Sequence, residues 1–274
     1  MDTTALPGLL RPTLHQQGFS LIELAVVLVI VSLLLGGLLW PLSSQIDQQR
    51  LAENKTRLAI AREALLAHAA AHARLPCPDD PATTGAGNTG KEEFQATPAG
   101  DTDNGLCKVW DGFLPGSQLG LSNLDSGGHY LDGWGTEHSR VRYAVSNKLN
   151  GALEGIFTGT NRVKGLALAA MGDATDNIHV CESSTGITAT NCGVAVAFSG
   201  GKSIFVVYSL GKNAAEVVTN AVTPAADEAA NVNGDLVFIS HQPVANPAAY
   251  YDDHLEWVGV YAYINHMMKA GVLP

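Results

Sequence analysis

The longest uninterrupted pattern in the chain lies near its start. From Leu24 to Trp40 every residue is apolar or glycine except Ser32. Coiled as a helix, Leu21–Trp40 is roughly 30 Å long, enough to cross the hydrocarbon core of a bilayer. Pro41 follows; lacking a backbone donor, it is expected to bend or interrupt the helix. Helical periodicity then resumes from about Ser43 to Ala73. Leu51, Leu58 and Leu65 recur every seven residues, with Ile60, Ala61 and Ala64 nearby. Arg50, Glu53, Arg57, Arg62 and Glu63 fill the other faces. This second half is amphipathic, and its apolar stripe is expected to pack on a sheet of the same domain. Pro76 and Pro78 end it.

After the helix the pattern shortens. Residues 79–128 are rich in Gly, Asp, Asn, Thr and Pro and read as a long structured loop. Short apolar runs with β-branched or aromatic content predict strands at Arg140–Ser146, Gly165–Ala170, Val194–Phe198, Ser203–Ser209 and Leu236–Ser240. Ser199-Gly200-Gly201-Lys202-Ser203 has a faint likeness to the end of a phosphate loop. Val196 stands where that loop needs a glycine, so the stretch reads as a hairpin turn between two strands. A last helix is predicted over about Glu256–Ala270, its start charged or capped by Asp252 and Asp253. The fold class is α+β.

The chain has 274 residues, 15% of them charged, and a net charge of −10. No cluster of Lys and Arg offers a phosphate-binding surface, so a direct nucleic-acid partner is not expected. The cysteines are Cys77, Cys107, Cys181 and Cys192. Four cysteines allow three pairings. Joining neighbours, Cys77 to Cys107 and Cys181 to Cys192, closes the shortest loops and fits an oxidising compartment. Without a Cys-x-x-Cys pair a zinc site is the weaker reading.

The apolar run is too long for an ordinary secretory signal, and Pro41-Leu42-Ser43-Ser44 is a poor small-residue cleavage site. Arg11 and His15 precede it, while Arg50, Lys55, Arg57 and Arg62 follow, so flanking charge leaves its orientation open. A plain membrane anchor explains the length but not Glu23. A carboxylate inside such a run costs up to about 2.5–3.5 kcal/mol at mid-membrane, and such a residue usually has a partner.

Gly18-Phe19-Ser20-Leu21-Ile22-Glu23 resembles the cleavage and methylation motif of type IV prepilins and type II secretion pseudopilins. The resemblance implies cleavage between Gly18 and Phe19 by a prepilin peptidase, N-methylation of Phe19, and an assembly role for Glu23. It implies a leader over 1–18, a transmembrane helix over 19–40, an amphipathic continuation over 41–75 and a periplasmic or extracellular globular domain over 76–274. The helix would pack on an antiparallel sheet, as in pilins. The chemistry is consistent from below. Cleavage frees an amine on Phe19, one helical turn from Glu23. That carboxylate is then able to pair within its own chain or with the terminus of a neighbour, giving register to helices that otherwise slide in lipid. Arg74-Leu75-Pro76-Cys77-Pro78, Gly112-Phe113-Leu114-Pro115 and Tyr251-Asp252-Asp253 are also similar to segments of some prepilin-like proteins. Asp132-Gly133-Trp134-Gly135 is similar to an Asp-Pro-Trp-Gly turn of pseudopilins, with Gly133 in place of proline.

Other chemistry is thinner. Asp101, Asp103 and Asn104 form an acidic turn like the start of a calcium loop, but Leu106 and Gly112 stand where an EF-hand needs glycine and glutamate. His68 and His72 share a helix face at i,i+4 without an evident third metal ligand. Nucleophile-elbow, Walker and His-Glu-x-x-His motifs are missing from the sequence. The expectation is a filament subunit rather than an enzyme, working with prepilin peptidase, other pilin subunits and an inner-membrane assembly platform. The alternative is a periplasmic binding protein or adhesin that uses the leader as its anchor.

Overall fold

The computed structural model describes residues 20–83, 90–95, 105–147, 157–159, 178–219 and 221–273, with only the backbone described for 35–44. Two units are distinguished, Met1–Gln48 and Gln49–Pro274. One helix, α1, runs Leu21–His72. Its helical backbone passes through Pro41 without the expected interruption. Its first turn is fastened by Ser20, whose Oγ accepts from the Glu23 backbone N–H at 3.3 Å. Ser20 and Glu23 have the spacing of a capping box. The helix stops where Ala73 takes a left-handed backbone, φ 59, which lets Pro76 and Pro78 lead the chain away.

Among the described residues, no helix is long and apolar enough to cross a membrane. The described side chains of the apolar run stop at Leu34, so the span expected over 19–40 falls partly outside them.

Within the second unit, α1 buries Leu58, Ala61, Leu65, Leu66 and Ala69. Leu58 and Leu65 of the expected seven-residue repeat are among them, while Leu51 is only half-buried; each fully buried leucine contributes about 1.5–3 kcal/mol. Ile60, expected beside the repeat, is exposed. The stripe meets one face of a six-stranded sheet made of β1 (Asp111–Phe113), β2 (Arg142–Val145), β3 (Ile178–Cys181), β4 (Ala197–Ser209), β5 (Val237–Ile239) and β6 (His254–Gly259). The strand order is β1-β2-β4-β3-β5, with β6 also paired to β4. Period-two alternation divides the sheet. Tyr143, Val145, Phe205 and Val207 face the helix, in one cluster with Tyr263 and Met267 of α4 (Val260–Lys269). Ala144, Val206 and Tyr208 form a second cluster with Ile178, Val180, Phe238 and the short helix α2 (Ala214–Val218). A further short helix, α3, spans Ala226–Ala230.

Four expectations need correction. The sheet is mixed, because β3 and β5 run parallel. Val194–Phe198 and Ser203–Ser209 are not two strands with a hairpin; Ala197–Ser209 is one strand of 13 residues. Gly201 has φ 64 within it, and the pairing to β3 shifts register nearby. The glycines therefore serve irregular pairing rather than a reversal. Glu256–Gly259, expected to open the last helix, belongs to strand His254–Gly259, since pairing from Ser209↔His254 to Ser203↔Gly259 satisfies its backbone along β4. The helix starts only at Val260, so Asp252 and Asp253 cap nothing. The strand expected at Gly165–Ala170 lies outside the described residues.

Both neighbour disulfides are present, Cys77–Cys107 and Cys181–Cys192. The first ties the end of α1 to the segment before β1. Arg74 reinforces that junction with a bidentate bridge to Glu92 at 2.6 and 2.7 Å. Burial pushes the Glu92 carboxyl up, but Arg74, Gln118 and the Cys77 N–H outweigh it and hold it below its ordinary range.

Candidate functional site

Two places carry chemistry. The first is the N-terminal turn of α1. Glu23 is exposed there, behind its Ser20 cap. The apolar side chains that follow are also bare, with Leu21 89% and Leu33 71% exposed. Gly18 and Phe19 lie outside the described residues, as do Asp101, Asp103 and Asn104.

The second place was not anticipated as a site. Glu228 from α3 and Asp252 and Asp253 from the segment before β6 are buried together, with one carboxylate oxygen of each inside a 4.8 Å cluster. The local fold explains the convergence. Lys212 and Asn213 follow β4 and lie against the segment leading into β6. The Lys212 N–H donates to Asp252 Oδ2 at 2.8 Å, as does the Tyr250 hydroxyl at 2.8 Å. Asn213 donates its amide to both oxygens of Glu228. Asn231 donates to Asp253 Oδ2 at 2.7 Å. Asp252 Oδ1 is buried without a hydrogen-bond partner. Gly211 makes the approach possible: at φ 70, a Cβ there would lie 2.1 Å from that oxygen.

Burial raises the pKa of all three carboxyls, that of Asp253 well above its ordinary value. The charge of Asp252 pushes Glu228 and Asp253 further up. Such a trio needs positive charge, from protons or from a cation. Three carboxylate oxygens all within 4.8 Å of one another could hold a cation, and the donor set is of the hard-oxygen type that calcium prefers. The sequence shows Asp252 and Asp253 as a charged pair but gives no sign of Glu228, which only the tertiary fold brings to them.

The cluster connects to α1 through Asp132. Ser209 donates to Asp132 Oδ2 at 2.5 Å and accepts from the Gly211 N–H at 3.2 Å. The Asp132 and Leu131 carbonyls accept from Arg57 of α1. Asp132-Gly133-Trp134-Gly135 thus docks on the helix. Gly133 is there because a Cβ would meet the Arg50 carbonyl at 2.3 Å.

His68 and His72 stack, ring centroids 4.1 Å apart. Burial, with His72 beside it, lowers the His68 pKa to about 4. Each Nδ1 lies near a backbone carbonyl, Arg74 and His68 respectively. Among the described residues no third His, Cys, Asp or Glu completes a metal group with them.

No curated protein and no solved structure matches the chain. Residues 13–39 match the family model of the prokaryotic N-terminal methylation motif. The matched stretch takes in Gly18, Phe19 and Glu23 and runs into the apolar part of α1. The chain therefore carries the prokaryotic N-terminal methylation motif, the prepilin-type leader of the type IV pilin and pseudopilin family.

Proposed function

We propose that this chain is a structural subunit, of minor pilin or pseudopilin type, of a type IV pilus or type II secretion filament. It is made as a single-pass protein of the bacterial inner membrane with its globular domain in the periplasm. Prepilin peptidase cuts between Gly18 and Phe19 and methylates the new terminus. The chain then enters a filament through α1 on an inner-membrane assembly platform. Its task is assembly, not catalysis.

The observation that carries this reading is the motif match over residues 13–39. The exposed apolar side chains of the first turns of α1 support it. Leu21, Ile22, Leu24, Val26 and Val27 are all more than half exposed, an arrangement that needs lipid or neighbouring helices to cover it. Two disulfides accord with an oxidising compartment. In this scheme Glu23 pairs with the methylated amine of a neighbouring subunit.

The test is fractionation of cells making the wild-type chain or Glu23→Ala. Wild-type chain is expected in sheared or periplasmic filaments, and the variant only in the membrane. Equal incorporation of Glu23→Ala removes the assembly role from Glu23. Absence of the wild-type chain from every filament fraction removes the filament reading itself.

A further inference from the structure

A cavity of ≈660 Å³ opens between β1, β3 and the turn before β5. Its size is within the range of small-ligand sites. β1 and β5 stand at opposite ends of the strand order. The sheet nevertheless curls enough for Asp111 of β1 and Asp235, before β5, to line the same cavity. Trp110, Asp111, Asn147, His179, Thr190 and Asp235 provide its ring and polar lining.

The chemistry of this lining narrows the ligand. Among the described residues no lysine or arginine lines the cavity, so none of the described lining favours an anion. The two carboxylates are already anchored. Asp111 accepts from the Tyr208 hydroxyl at 2.6 Å, with the Arg142 cation nearby. Asp235 accepts from the Val237 N–H at 2.8 Å and from the Asn233 amide at 2.9 Å. Burial outweighs these partners and holds both carboxyls above their ordinary range, Asp111 at about 6. What they retain is capacity to accept hydrogen bonds from hydroxyls. Asn147 and Thr190 both donate and accept. Trp110 is half-buried against the main core and also lines the cavity. An indole face beside carboxylate, amide and hydroxyl groups suits a ring with polar edges and apolar C–H faces.

We propose that this cavity binds a neutral saccharide, which stacks on Trp110 and donates its hydroxyls to Asp111 and Asp235. The inference does not depend on the filament reading and leaves the N-terminal helix untouched.

The test uses the full chain in detergent micelles. The probes are glucose, galactose, N-acetylglucosamine, maltose and lactose, with spermidine as the cationic competitor. Binding is followed by saturation-transfer NMR and titration calorimetry. At least one sugar is expected to bind, and Trp110→Ala to weaken it by about tenfold or more. Thr190→Trp, a substitution at an exposed rim position, should block the same binding without disturbing the fold. Glu216→Gln, remote from the cavity, should leave it unchanged. Failure of every sugar to bind overturns the proposal, as does binding that survives Thr190→Trp. Preferential binding of spermidine overturns it too.

Discussion

Gly133 sits where the Asp132–Gly135 loop touches the backbone of α1, and replacing it with alanine is a direct probe of that contact. A Cβ at Gly133 would lie 2.3 Å from the Arg50 carbonyl oxygen, 2.7 Å from the Asn54 nitrogen and 3.0 Å from the Asn54 Cβ. An ordinary carbon–oxygen approach is about 3.3–3.6 Å, so the loop must retreat by about 1 Å. Overpacking of this kind costs about 1–3 kcal/mol. The retreat also strains the Arg57 bonds to the Leu131 carbonyl, at 3.0 Å, and to the Asp132 carbonyl, at 2.5 Å. Each hydrogen bond to a charged group is worth about 1.5–3 kcal/mol. A total near 3 kcal/mol lowers the melting temperature by about 6–12 °C in a chain of this size. The assay is thermal melting of the full chain in detergent, followed by circular dichroism at the aromatic bands. Gly135→Ala is the control. Gly135 has φ 65 but open space around a Cβ, so alanine there costs only the left-handed backbone, about 1–2 kcal/mol. A Gly133→Ala protein that melts with wild type, or above Gly135→Ala, refutes the docking argument.

Other outcomes follow from the same structure. Burial raises the Glu228, Asp252 and Asp253 carboxyls, so the folded chain holds protons that the unfolded chain releases. Their contribution to stability is lost as pH rises from the ordinary carboxylate range through the raised values. Melting temperature should therefore fall as pH rises above the ordinary carboxylate range, and Asp253→Asn should flatten the profile; a steeper profile in the variant contradicts the assignment. Calcium added at the alkaline end should raise the melting temperature of wild type but not of Glu228→Gln. The Cys77–Cys107 bridge spans 30 residues and Cys181–Cys192 spans 11. Loop entropy assigns them about 4 and about 3 kcal/mol, so paired Cys→Ser variants should melt lower in that order; the reverse order would show that native contacts, not loop length, decide. His68 should titrate near pH 4 by NMR, and a midpoint at the ordinary histidine value would contradict its burial.

Local signals were legible in the sequence, and long-range ones were not. The stripe of Leu58, Ala61 and Leu65 follows from helical spacing alone, and these residues are buried. The end of α1 follows from Pro76 and Pro78, with the last turn set by Ala73. The disulfide partners are neighbours in the chain. Failures came where tertiary pairing overrode local preference. Gly200 and Gly201 read as a turn, yet β3 holds that segment in one strand. Glu256–Gly259 reads as the start of a helix, yet β4 supplies its hydrogen bonds as strand. The acidic trio joins Glu228 to a pair of aspartates on another segment, and no spacing rule links them. The Ser20–Glu23 cap, by contrast, was a signal available in the sequence and went unread: a serine followed three residues later by glutamate at the start of an apolar run.

The account rests on processing at Gly18. Mass spectrometry of the N-terminus of the chain, purified from membranes or filaments of cells that make prepilin peptidase, tests it most directly. The expected mature protein begins at N-methylated Phe19 and lacks residues 1–18. A chain that retains Met1 through Gly18, in cells whose other prepilins are cut, contradicts the account.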